Sequence, residues 1–158
     1  MVQKKRVLIT GINGFIGSSI HSFLEQSGYE VWGLARNKEH KNIIKVDLAD
    51  YEQLKKISNK LPKIDVIIHT AAWAHGQSKY SKLPIEDYNL RITKNIIGTF
   101  GKIIDNLIFL SSVAVYGIKK KETISTKENT DPKTKYGLSK LLCEKAIMES
   151  EFRNFSIL

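Results

Sequence analysis

Residues 6–10, Arg-Val-Leu-Ile-Thr, make a short apolar run that closes on Gly11, and helical spacing begins a few residues later. Phe15, Ile16, Ile20, Phe23 and Leu24 recur at the helical period, and Gly28 supplies a helix stop. A strand that runs straight into a helix cannot return as a hairpin, so its next strand lies parallel to it. A strand apolar at nearly every position is one buried on both faces. The same unit recurs along the chain. Strands are predicted over residues 6–10, 30–35, 42–46, 65–69, 106–111 and, just beginning, 154–158. Helices are predicted over 15–26, 51–60, 85–101 and 135–150, with Pro62 just beyond the second and a lysine-rich loop over 119–135 before the last. This alternation implies an α/β fold: a doubly wound parallel sheet with helices on both faces.

The chain of 158 residues suits one domain, with no repeat or linker to divide it. No stretch approaches the ~18 uninterrupted apolar residues of a membrane span, so no membrane partner is expected. The basic residues before the first strand leave no room for a signal-peptide apolar region. Cys143 is the single cysteine, which rules out an internal disulfide and fits a reducing cytoplasm. The net charge of +9 invites a nucleic-acid reading. The lysines are scattered, however, the longest run being Lys119, Lys120 and Lys121, and aromatic residues are not interleaved with them. Nucleic acid is therefore not an expected partner; a basic surface that attracts anionic ligands is.

Gly11, Gly14 and Gly17 carry the first strand into the first helix at a G-x-x-G-x-x-G spacing. Glycine permits the tight turn at 11, removes a side chain that would block a pyrophosphate at 14, and lets the helix pack closely on the sheet at 17. The helix N-terminus offers N–H groups and positive dipole to phosphates. Asn13, Phe15 and Ile16 belong to the same candidate phosphate-binding turn. With Thr10 before it, the spacing resembles the TGxxGxxG turn of short-chain dehydrogenases/reductases, in particular the extended, sugar-nucleotide-modifying branch. The resemblance implies a Rossmann-type domain that binds NAD or NADP. An acidic residue at the end of the second strand would accept the 2′-hydroxyl of NAD's adenosine ribose. Here Ala35 is followed by Arg36, which could pair with a 2′-phosphate through a bidentate fork, so NADP is favoured over NAD. Asp47 and Leu48 resemble the family's segment that contacts the adenine amino group; Asp50 in the same loop could equally cap the following helix.

Tyr136 and Lys140 stand one turn apart on a predicted helix and so share a face. A free tyrosine titrates near ~10, too high for a base at neutral pH. The expectation is that Lys140, with the charge of an oxidised nicotinamide, favours the phenolate. The pair resembles the family's YxxxK motif, with Glu128, Asp131 and Pro132 before it, Ser139 beside the lysine and Glu144 after it. The segment from Phe109 to Gly117 resembles the fifth strand and following loop of extended members. That resemblance makes Ser112 the residue that binds the substrate oxygen and Ser111 a structural hydroxyl, two neighbours that sequence alone can confuse. His69, Thr70, Ala71 and Ala72 resemble the end of the fourth strand, whose small residues let the cofactor lie close. Residues 88–95 resemble the family's helix in which an asparagine, here Asn89, supports the site. His69 and His75 carry no metal-ligand spacing and read as packing or surface residues; no metal site is expected.

The resemblance implies hydride transfer between a sugar hydroxyl carbon and the nicotinamide. Tyr136 would move the proton, Ser112 would hold the oxygen, and Lys140 would also grip the nicotinamide ribose. The family's 4,6-dehydratases carry an Asp-Glu pair immediately after the serine or threonine, where this chain has Val113 and Ala114. That leaves an epimerase or a reductase acting on a nucleotide sugar. Extended members continue into a C-terminal substrate-binding domain that these residues do not contain. The expectation is a cofactor-binding domain over residues 1–158 with impaired activity alone and a tendency to self-associate as a homodimer. The alternative is a non-catalytic NAD(P)-binding module or one fragment of a split enzyme.

Overall fold

A computed structural model of the chain describes residues 4–37, 41–74, 81–118 and 123–158. The lysine run 119–121 and His75 lie outside the described residues. Among those described, the strands β1 (Arg6–Thr10), β2 (Glu30–Ala35), β3 (Ile43–Lys45), β4 (Val66–His69), β5 (Asn106–Phe109) and β6 (Asn154–Ile157) form one sheet in the order β3-β2-β1-β4-β5-β6. Every pairing is parallel. The helices are α1 (Phe15–Gln26), α2 (Tyr51–Ser58), α3 (Ile85–Phe100) and α4 (Lys135–Met148), with a short 3-10 helix at Val113–Tyr116.

The alternation of side chains along each strand splits the core in two. Leu8, Leu34, Ile67, Leu107 and Phe109 pack with Leu54 of α2, Ile92 and Ile96 of α3 and Ile147 of α4. Val7, Ile9 and Val31 point the other way and pack with Ile20 and Leu24 of α1. Strands covered on both faces need apolar residues at consecutive positions, which is why the sequence shows runs there. This is the Rossmann-type doubly wound architecture. No described helix is long and apolar enough to cross a membrane.

Four strands are shorter than expected, β4 and β6 by one residue each, and β3 and β5 for local reasons. Asn42 has a φ of 88°, outside the strand region, so β3 begins one residue later. Val46 leaves the strand while still donating its N–H to Ala35 O at 2.8 Å. After Phe109 the chain peels toward β6, with Ser111 N–H donating to Leu158 O at 2.7 Å. The 3-10 helix then starts at Ser112, whose side chain accepts the Ala114 N–H.

Asp50 caps α2 by accepting the Gln53 N–H at 2.9 Å, and Gln53 Oε1 accepts the Asp47 N–H at 2.8 Å. The loop between β3 and α2 is thereby tied to the helix it precedes. Asp50→Ala should destabilise the fold by about 1 kcal/mol, read as a lower urea midpoint, whereas Asp50→Asn should be nearly neutral. Equal midpoints for both variants would contradict the cap.

Candidate functional site

The sheet order reverses at β1, whose neighbours β2 and β4 lead in opposite directions. Chain leaving the carboxyl ends of such strands opens a crevice between the two halves. A cavity of about 300 Å³ lies there, floored by Gly11, Asn13 and Gly14. Leu34, Ala35 and Arg36 at the end of β2, with Val46 and Leu48 after β3, wall one side. Thr70, Ala71, Ala72 and Trp73 after β4, with Tyr88 and Ile92 of α3, wall the other.

Each glycine of the turn is explained by what surrounds it. Gly11 has a φ of 72°, and a Cβ there would lie 2.8 Å from the Ala71 Cα. A Cβ on Gly17 would lie 2.2 Å from the Gly11 carbonyl oxygen, so only glycine lets α1 approach the turn this closely. Gly14 is the N-cap of α1 and provides no side-chain cap, and no acidic residue occupies the first turn. Ser18 N–H bonds to Gly14 O, while the main-chain N–H groups before it stand at the positive end of the helix. An uncapped helix start on the floor of a cavity suits a phosphate-bearing ligand. Phe15 and Ile16 are 91% and 46% exposed and do not line the cavity.

The remaining expected cofactor residues divide. Arg36 and Leu48 stand on the cavity wall. Burial raises the Tyr88 phenol, and the Arg36 charge opposes that shift. Asp47 does not line the cavity; its carboxylate accepts the Ala49 N–H at 3.0 Å. Asn89 is buried away from the wall and acts as a clamp. Its Oδ1 accepts the Trp73 N–H at 2.8 Å, and its Nδ2 donates to Trp73 O and Ser139 Oγ, each at 2.9 Å. Trp73, Leu34, Val46, Tyr88 and Ile92 are wall residues that the motif reading missed. Trp73 directly follows the small residues of β4's end, and that adjacency is the one signal that could have found it.

The second cluster stands at the end of β5, beside β4. Tyr136 is half-buried, and its side chain hydrogen-bonds Ser112. Ser111 instead donates to Glu144, so the neighbouring hydroxyls have different partners. Lys140 is only 2% exposed; Nζ donates to Leu110 O at 2.6 Å and lies 4.6 Å from the Phe109 ring centroid and 5.8 Å from that of Tyr136. Gly137 allows this packing, since a Cβ there would lie 2.5 Å from Ala114 O.

In the protein alone the electrostatics favour the protonated phenol. Burial pushes the Tyr136 phenol above its ordinary value, offset only in part by the Ser112 hydrogen bond. Burial also lowers Lys140 to about 8. Desolvation is the largest influence on the Tyr136 phenol in the protein alone. In the protein alone Tyr136 is an acid. Among the described residues no three His, Cys, Asp or Glu side chains are grouped to hold a metal ion.

Comparison with known proteins agrees with this arrangement. Residues 7–154 match the NAD dependent epimerase/dehydratase family. A UDP-glucose 4-epimerase of Mycoplasma genitalium is 32% identical over 162 residues, an alignment covering 89% of this chain and 46% of that protein. The crystal structure of UDP-glucose 4-epimerase from Brucella ovis in complex with NAD superposes with a TM-score of 0.80 at 27% identity, covering 92% of this chain and 47% of that one. The UDP-Glc/GlcNAc 4-epimerase of Campylobacter jejuni gives 0.82 at 25% identity, covering 97% and 53%. The chain spans about half the length of the curated relatives it matches. With the matched segment covering the strands from β1 through β5, the glycine turn and the Tyr136–Lys140 helix, the chain belongs to the NAD dependent epimerase/dehydratase family.

Proposed function

We propose that the chain is the dinucleotide-binding part of an NAD(P)-dependent epimerase or reductase acting on a nucleotide sugar. The observation that carries this reading is that the uncapped glycine turn after β1 and the Ser112–Tyr136 pair after β5 open on the same edge of the sheet, with β4 between them. A bound nicotinamide dinucleotide would supply the hydride acceptor and donor. Gly11, Gly14 and the first turn of α1 would hold its phosphates, while Arg36, Leu48 and Tyr88 would flank the adenosine end. Thr70, Ala71 and Ala72 would leave room for its approach along β4. Asp47 and Asn89 would support these contacts from behind.

Within this reading Ser112 holds the reacting sugar oxygen and Tyr136 transfers the proton at that oxygen. The raised phenol presents Tyr136 protonated, ready to donate in the reductive direction. In the oxidative direction it needs added positive charge nearby to accept the proton. Lys140 supplies part of that charge once its ammonium turns from Leu110 O toward the ribose. Val113 and Ala114 offer no acid or base for elimination, which separates this site from a 4,6-dehydratase.

Arg36 supports NADP over NAD. Arg36→Ala should weaken NADPH binding about tenfold while changing NADH binding less than about twofold, by titration of each dinucleotide. Equal losses for both would sink the NADP preference.

A second reading is a non-catalytic NAD(P)-binding module or one fragment of a split enzyme. Binding energy from remote parts of a substrate drives chemistry at the reacting carbon, so this part alone should turn over nucleotide sugars poorly. Exposed Phe155 on the edge strand β6 and Leu158 just beyond it favour self-association or docking of a further polypeptide. The deciding experiment supplies UDP-glucose and either dinucleotide to the chain alone and to the chain mixed with the second half of a related epimerase. Turnover only in the mixture supports a divided enzyme. Turnover by the chain alone contradicts its expected impairment, and dinucleotide binding without turnover in either case favours the module.

A further inference from the structure

His69 ends β4 between the strand that leads into the glycine turn and the strand that leads to Ser112, and it is fully buried. Both ring nitrogens have partners: Nδ1 lies 2.6 Å from Thr10 Oγ1, and Nε2 lies 3.1 Å from Thr93 Oγ1. The proton positions follow from the outer bonds. With Thr93 donating its one hydroxyl proton to Cys143 Sγ at 3.2 Å, the tautomer that satisfies the whole chain of bonds carries its proton on Nε2. Nδ1 is then the acceptor and Thr10 donates to it, while Thr10 Oγ1 accepts the Ala71 N–H at 3.3 Å. A protonated ring would turn the Thr10 hydroxyl proton away from Nδ1 and would face Lys140 across Phe109. The His69 and Phe109 ring centroids are 5.5 Å apart, and the ammonium stands over Phe109. Burial, reinforced by the Lys140 charge, accordingly holds His69 at about 3.

We propose that His69, as a fixed neutral Nε2–H tautomer, is a positioning residue that joins the dinucleotide cradle to the catalytic helix. At one end the bonds fix Thr10 and Ala71, the residue against which Gly11 packs. At the other end they reach Cys143, which lies in α4 one turn after Lys140. Buried polar groups are costly unless every member is satisfied, and a satisfied chain selects one geometry. An apolar residue at 69 would fill the space and leave the cradle and α4 to settle separately. The consequence for cofactor affinity rests on the function proposed above; the tautomer does not.

The test uses the intact chain. With 15N-labelled histidine, the wild-type spectrum should contain one imidazole locked as Nε2–H with an unprotonated Nδ1. An Nδ1–H form of His69, identified by its absence from the His69→Gln spectrum, or tautomer averaging at His69 overturns the proposal. NADH and NADPH affinities are then measured for His69→Leu, Thr93→Val, the double variant and His69→Gln. Thr93 lies outside the cavity, and valine keeps its shape, yet Thr93→Val should weaken the preferred dinucleotide about tenfold. His69→Leu should do the same, and the double variant should be no worse than either. His69→Gln can accept from Thr10 and donate to Thr93, so it should recover affinity to within about twofold of wild type. Unchanged affinity in Thr93→Val, additive losses, or failure of the glutamine rescue overturns the coupling. If the wild-type chain binds neither dinucleotide, the functional reading falls by itself, and the histidine spectrum decides the positioning claim.

Discussion

Gly17→Ala is expected to destabilise the fold by about 3 kcal/mol and to weaken dinucleotide binding at least about tenfold, although alanine is the better helix former. On propensity alone the substitution in α1 would stabilise by up to about 1 kcal/mol. Geometry decides against it: the added methyl carbon would stand 2.2 Å from Gly11 O, 2.9 Å from Gly11 C and 3.0 Å from Ile12 Cα. All three are main-chain atoms, so no side chain can swing away, and the same Gly11 carbonyl accepts the Gly14 N–H at 2.8 Å. Relief requires moving α1 off the sheet or opening the turn, and either displaces the N–H groups on the cavity floor. Gly28→Ala is the control. It has a φ of 85° and open space around it, so it should cost only about 1 kcal/mol of backbone strain and leave binding unchanged. Urea unfolding and dinucleotide titration read both. A Gly17→Ala protein as stable as wild type would show that the close approach of helix and turn is not required.

Lys140→Met should separate stability from chemistry. Lys140 falls to about 8 in the folded chain because burial disfavours its ammonium, against an ordinary value of 10.5. Below the folded value the lysine is charged in both states, and the fold carries the full cost of the buried ammonium. As pH rises from the folded toward the unfolded value, the native state releases its proton first. Stability therefore rises with pH across that window. Between about pH 7 and pH 9.5 the wild type should gain roughly 2 kcal/mol relative to the methionine variant. Burial of the Cys143 thiol works in the opposite direction in both proteins, and loss of the Lys140 charge in the variant raises that thiol further, which widens the difference in slope. Losing the Lys140 bond leaves Leu110 O short of a donor at every pH, which shifts the variant's whole curve without tilting it. Turnover, measured in whichever assembly is active, should fall at least about a thousandfold if Lys140 helps position and charge the reacting groups. Parallel stability curves for the two proteins would contradict the buried charged lysine.

Much of the fold was legible because the strands are buried on both faces and so appear as apolar runs in the sequence. The glycine turn was legible because its spacing records three close approaches. Other features were hidden where polar side chains replace the expected apolar pattern. The buried stripe of α4 is Gly137, Ser139, Lys140, Cys143 and Ile147. Its polar members are satisfied by Asn89, Leu110 O and Thr93, partners distant in sequence. The early end of β5 and the 3-10 helix depend on Ser111 reaching Leu158 O and Ser112 capping its own turn, neither of which has a periodic signature. Asn89 belonged to a recognisable helix, yet its role as a clamp on Trp73 became visible only when β4's end and α4 were brought together. The rise of the Tyr136 phenol in the protein alone was hidden because charge proximity can be read from spacing, whereas desolvation cannot.

The most direct measurement is a titration of the folded chain with NADH and NADPH, following energy transfer from tryptophan to the reduced nicotinamide and checking the stoichiometry by calorimetry. Trp73 lines the cavity, so binding there should quench its emission and raise that of the dinucleotide. A cavity that holds the cofactor predicts saturable one-to-one binding, with Trp73→Phe losing most of the transfer signal while retaining the heat of binding. A properly folded chain that shows neither transfer nor heat with either dinucleotide up to about 1 mM would contradict the account.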